Sequence, residues 1–219
     1  MLQSPERIVL ITGASRGVGA AVAQRVAAPN THVLVQHRGN AERAESVAQA
    51  VRDAGGDAST IAADIYDEFA VAAMIDTIRA RFGRLDVLIL NASGDLEMGA
   101  GPSHAMRAKG DAQRRLATLA MPLMPAGARI VFVTSHQAHF YPNKAVPKGY
   151  AGVAASQRAG ETALYALRYE FAHAGIGFTV VSAEITQDIV MVPAIADAAT
   201  AARPTGIVYV GGTGHLMTA

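Results

Sequence analysis

The sequence contains no cysteine. This excludes disulfides, thiolate nucleophiles, Fe–S clusters and cysteine-ligated zinc, and it fits a reducing compartment. Long apolar runs are also missing: none reaches the roughly 18–20 residues of a membrane span, so no membrane partner is predicted. Charge of one sign is not in excess. The 19 Lys and Arg against 18 Asp and Glu give a formal net charge of +1, which leaves no electrostatic footprint for nucleic acid. Charged residues are scarce at 17%, against 51% hydrophobic, and mean hydropathy is +0.21, which excludes a disordered chain. Met1-Leu2-Gln3-Ser4-Pro5-Glu6-Arg7 leads straight into an apolar run with neither the hydrophobic region nor the cleavage pattern of a signal peptide. The expected location is therefore cytoplasmic. A length of 219 residues predicts one domain, 1–219, large enough for a substantial core.

Short β-branched runs alternate with Ala-rich helical stretches. The runs at 8–11, 32–35, 58–62, 87–90, 130–133, 178–181 and 207–210 predict seven strands. They are continuously apolar rather than alternating, as in strands buried on both faces. Helices are expected to about residue 28 and over 41–54, 67–82, 105–124 and 150–174, with a long loop over 136–149. This predicts an α/β protein: a Rossmann-type, doubly wound, seven-stranded parallel sheet in a three-layer α/β/α sandwich, binding ligands at the carboxyl ends of its strands.

Between the first strand and first helix stands Thr12-Gly13-Ala14-Ser15-Arg16-Gly17-Val18-Gly19. Glycine lets backbone N–H groups approach an anion closely, and the following helix N-terminus adds partial positive charge. A pyrophosphate, and hence a dinucleotide, is the expected ligand. The acidic residue that usually reads the ribose 2′-OH is missing from Val35-Gln36-His37-Arg38-Gly39-Asn40, where Arg38 stands instead, with Arg16 on the glycine turn. Two guanidiniums suit a 2′-phosphate, so NADP(H) is predicted over NAD(H).

These landmarks, with Asp64-Ile65 after the third strand, Asn91-Ala92-Ser93-Gly94 after the fourth and Ser135 ending the fifth, resemble the short-chain dehydrogenase/reductase family over nearly the whole chain. The resemblance implies cofactor contacts from Gly13, Ser15, Arg16, Gly17, Val18, Gly19, His37, Arg38, Asp64, Ile65, Asn91, Ala92, Ser93 and Gln157. It implies no metal. His136 and His139 are three residues apart but lack an evident third ligand. It also implies a homodimer or homotetramer formed through the helices near 105–124 and 150–174. The final Gly206-Ile207-Val208-Tyr209-Val210-Gly211-Gly212 matches the family's last strand and turn, which places the chain's shortness inside it.

The family's catalytic Tyr-x-x-x-Lys is not kept. Val153-Ala154-Ala155-Ser156-Gln157-Arg158-Ala159-Gly160 resembles Tyr-Ala-Ala-Ser-Lys-Ala-Gly, with Val153 in the Tyr place and Gln157 in the Lys place. With Ser135 orienting the substrate, three substitutes for the missing groups are open. Tyr150, about 4.5 Å of helical rise before Val153, would bring its hydroxyl into the vacated place. Lys109, aligned with the family's supporting Asn, would face Gln157 from the neighbouring helix. His136 would serve as acid near neutral pH. Between the sixth and seventh strands, Ser182-Ala183-Glu184-Ile185-Thr186 replaces the family's Pro-Gly. The short stretch from there to the seventh strand leaves room only for a small lid, the helix around 195–201. The expected function is NADP(H)-dependent hydride transfer between nicotinamide and a small-molecule carbonyl or alcohol substrate, bulky or loosely held under so short a lid. The alternative is a catalytically impaired NADP(H)-binding relative acting as sensor or partner subunit. Substrate choice is assigned to the loops 94–104, 136–149 and 184–200.

Overall fold

A computed structural model describes residues 6–91, 102–184, 190–203 and 206–211, with the backbone alone for 102–110. The chain runs β1 (Arg7–Ile11), α1 (Gly17–Arg25), β2 (Thr31–His37), α2 (Ala41–Asp53), β3 (Asp57–Ala62), α3 (Glu68–Phe82), β4 (Val87–Leu90) and α4 (Pro102–Ala120). It continues through β5 (Arg129–Ser135), α5 (His136–His139), α6 (Ala151–Ala166), α7 (Arg168–His173), β6 (Gly177–Ala183), α8 (Met191–Thr200) and β7 (Gly206–Val210). The seven strands are parallel in the order β3-β2-β1-β4-β5-β6-β7.

Alternate side chains of each inner strand enter opposite cores. Ile8, Leu10, Leu88, Leu90, Ile130 and Phe132 pack with α3, α4, Leu164 of α6 and Phe171 of α7. Val9, Ile11, Val87, Ile89 and Val131 pack with α1, α2 and α8 on the other face. Burial on both faces is the physical reason these strands are apolar throughout. Local signals set the ends of the helices: Asp67 accepts from the N–H groups of Phe69 and Ala70 to start α3, and Gly83 ends it in the left-handed region (φ 69°).

Four expectations are corrected. The helix expected over 150–174 is two helices, broken at Leu167; the turn there lets Phe171 sink fully into the core beneath β6. The loop expected over 136–149 opens with α5, because the Ser135 hydroxyl accepts from the Ala138 N–H at 3.2 Å and caps it. The helix expected over 105–124 begins earlier, at Pro102, and stops at Ala120; Pro122 falls in a 3₁₀ turn, Met121–Leu123. The expected lid is not a lid. Ile195, Ala198 and Ala199 of α8 are buried in the core with α1, because a right-handed β6–α8–β7 crossover must cover that face of the sheet.

Candidate active site and cofactor cleft

Chain direction across the sheet reverses between β1 and β4, and a cleft of about 940 Å³ opens at the carboxyl ends of the strands. At its centre the glycine turn is clamped from two sides. Gly13 donates its N–H to Gln36 Oε1 (2.8 Å), and Gln36 Nε2 donates onward to the Ala63 carbonyl (2.7 Å). Asn91 Nδ2 donates to the Thr12 carbonyl (3.1 Å), and the Asn91 N–H donates to Thr12 Oγ1 (3.0 Å). Gly13 and Gly17 take φ values of 63° and 57°, which favour glycine. Gly19 acts from behind the turn: a Cβ there would lie 2.6 Å from Asn91 Nδ2 and 2.8 Å from the Gly13 carbonyl oxygen.

One end of the cleft is lined by Ser15, Arg16, Gly17, Val18, His37, Arg38, Gly39, Asn40, Arg43, Asp64 and Ile65. Arg43, brought in by the first turn of α2, was not singled out from the sequence, nor was Gln36, whose buried amide joins β2 to the turn. Asp64 Oδ1 accepts from the Tyr66 N–H (2.9 Å) and shapes the chain after β3. His37 Nδ1 is buried and has no hydrogen-bond partner among the described residues, so it offers a polar contact to a ligand. The cleft size, the glycine backbone and this polar atom fit a dinucleotide.

The other end is lined by Ser135, Tyr150, Val153, Gln157, Ala183, Glu184 and Met191. The Ser135 and Tyr150 hydroxyls stand 3.3 Å apart, and Ser135 Oγ donates to Gln157 Oε1 at 3.4 Å. An amide oxygen only accepts, so Ser135 is the donor in its contact with Gln157, while either hydroxyl can donate in the Ser135–Tyr150 pair. Val153 and Gln157 are one helical turn apart on the face of α6 that meets the cleft.

His136 is not placed to act as the acid. It is buried, its Nδ1 lies 2.8 Å from Ser182 Oγ, and it does not line the cleft. His139 Nδ1 lies 2.8 Å from Glu161 Oε1, and among the described residues there is no group of three or more His, Asp and Glu that could hold a metal ion. Lys109 falls on α4, but its side chain lies outside the described residues, as do Ala92, Ser93 and part of the loops 94–104 and 184–200. Among the described residues no helix is long and apolar enough to cross a membrane.

Comparison with known proteins accords with this architecture. The short chain dehydrogenase family model matches residues 7–197. A 1-cyclohexenylcarbonyl-CoA reductase of Streptomyces collinus is 32% identical over 183 residues, covering 80% of this chain and 63% of that protein. A cis-4-hydroxycyclohexanecarboxylate dehydrogenase of Sinomonas cyclohexanicum is 45% identical over 87 residues, covering 40% of this chain and 34% of that protein. The matches thus span less than two thirds of these relatives' own length. Among solved structures, the promiscuous reductase LugOII, which catalyses keto-reduction at C1 during lugdunomycin biosynthesis, superposes with a TM-score of 0.83 at 21% identity, covering 99% of this chain and 100% of that one. The angucycline C-6 ketoreductase LanV with bound NADP gives 0.76 at 21% identity, covering 94% of each chain. At that identity the structural likeness shows the fold; the family match over residues 7–197 shows the kinship, and the chain belongs to the short-chain dehydrogenase/reductase family.

Proposed function

We propose that this chain is an NADP(H)-dependent oxidoreductase interconverting a carbonyl compound and its alcohol. The observation that carries this is the pairing of the Tyr150 and Ser135 hydroxyls, 3.3 Å apart at the mouth of the cofactor cleft. Tyr150 lies outside the usual motif, yet its hydroxyl meets the serine expected to orient the substrate. A bound nicotinamide dinucleotide supplies or accepts the hydride. Ser135 donates its hydroxyl proton to the substrate carbonyl oxygen, exchanging its long contact with Gln157 for it, and Tyr150 gives that oxygen its proton in reduction or removes it in oxidation. Gln157 Oε1 accepts the Ser135 proton until a substrate oxygen takes its place. Preference for the 2′-phosphorylated cofactor is supported by Arg16, Arg38 and Arg43 at the far end.

The test is NADPH oxidation with a panel of ketones and aldehydes. Tyr150→Phe is expected to lower kcat about a hundred-fold or more while NADPH binding is kept. Undiminished turnover in Tyr150→Phe would remove Tyr150 from this role. Tight NADPH binding by wild type, with no consumption across the panel, would favour the binding-only alternative, in which Val153 and Gln157 mark lost catalysis.

A further inference from the structure

Charge is unevenly spread along the cleft. Arg16, Arg38, Arg43 and Asp64 all stand on segments that follow or flank β1, β2 and β3. At the opposite end, among the described residues, the lining side chains Ser135, Tyr150, Val153, Gln157 and Met191 are uncharged, and Glu184 adds a carboxylate to the lining. Its position is a consequence of the sheet. Ser135 of β5 is in register with Ala183 of β6, and Glu184 is the next residue, where β6 runs out into the cleft beside the hydroxyl pair.

We propose that Glu184 selects the redox state of the cofactor, holding the oxidised nicotinamide more tightly than the reduced one. This rests on the function proposed above. A dinucleotide with its phosphates on the glycine turn and its adenosine toward the arginines has its nicotinamide at the Ser135 end. The oxidised ring carries one positive charge and the reduced ring none, so a carboxylate beside it discriminates between the two by charge alone. In carbonyl reduction the carbonyl carbon takes the hydride with its electron pair, its oxygen takes the Tyr150 proton, and one positive charge is left on the ring. Glu184 faces that charge as it develops, which favours reduction over oxidation. Adenine, ribose and phosphate contacts are common to both forms and cancel in the ratio of their affinities.

The experiment measures Kd for NADPH by its fluorescence, and for NADP+ by displacement, in wild type, Glu184→Gln, Glu184→Ala and Glu184→Asp. Loss of the charge in the Gln and Ala variants is expected to shift the ratio of the two Kd values toward NADPH by roughly three- to thirty-fold. Glu184→Asp, which keeps the charge, is expected to hold the wild-type ratio. An unchanged ratio, or equal weakening of both forms, overturns the inference and leaves Glu184 a structural residue. Should the neutral variants fail to fold, the wild-type ratio is followed from low to high salt. Screening is expected to narrow the advantage of NADP+, and a flat profile overturns the inference. A wild-type protein that binds neither form refutes the proposed function itself, a separate outcome that removes this inference as well.

Discussion

At the residue scale, the cleft is set by side chains that do nothing by themselves. Gln36 spans from the Gly13 N–H to the Ala63 carbonyl, so one buried amide fixes the glycine turn against the end of β3. Gly19 is required for close packing rather than for contact with a ligand, since any side chain there would collide with Asn91 and the Gly13 carbonyl. The exposed arginines stand where charge is to be read. Arg38→Ala is expected to weaken NADPH binding about ten-fold or more while leaving NADH binding nearly unchanged, because only NADPH carries the 2′-phosphate. Parallel titrations with the two cofactors check this, and equal losses for both would show that Arg38 reads something other than that phosphate.

At the element scale, α5, α6 and β7 are tied by one partly buried polar network. Glu161 of α6, fully buried, accepts from Arg158 Nη1 at 2.9 Å and lies 2.8 Å from His139 Nδ1 of α5. His139 Nε2 in turn lies 3.0 Å from the Tyr209 hydroxyl of β7. Burial, reinforced by the Glu161 charge, raises the Tyr209 phenol and pushes Tyr165 up to about 12, so Tyr165 stays protonated at neutral pH. Every polar atom of the His139–Glu161 pair that is buried has a partner, which makes removal of one member costly. Glu161→Ala is expected to destabilise the chain by about 3 kcal/mol, and Tyr209→Phe by about 1 kcal/mol. Urea unfolding measures both. A loss below about 1 kcal/mol in Glu161→Ala would show that α5 and β7 are held by apolar packing alone.

At the scale of the whole molecule, the parallel sheet gathers the glycine turn, Asp64, Asn91, Ser135, Tyr150 and Gln157 at the carboxyl ends of its strands. Cofactor binding there bridges segments following β1, β2, β3, β5 and β6. NADPH at about a hundred times its Kd is therefore expected to add ~2.7 kcal/mol of stability, which for a chain of this size raises Tm by about 5–10 °C. A thermal melt with NADPH and NADH reads this, and no shift with either would contradict a cofactor cleft. The seven strands, the glycine turn and the start and stop of α3 at Asp67 and Gly83 were legible in the sequence, because each depends on residues within a few positions of one another. The fold class came from the same local patterns. What escaped depends on distance in the chain. Leu167 gives no helix-breaking signal, and the break there accompanies the burial of Phe171 in the core. The segment expected as a lid became α8 because the sheet's other face needed cover. Arg43 and Glu184 reach the cleft, and His136 is taken out of it, through placements that no spacing rule contains. Residue order alone was enough for the local elements and the family pattern. It took tertiary packing to set the Tyr150 hydroxyl beside that of Ser135, fifteen residues away, since side chains far apart in sequence meet only where the sheet and α6 bring their backbones together.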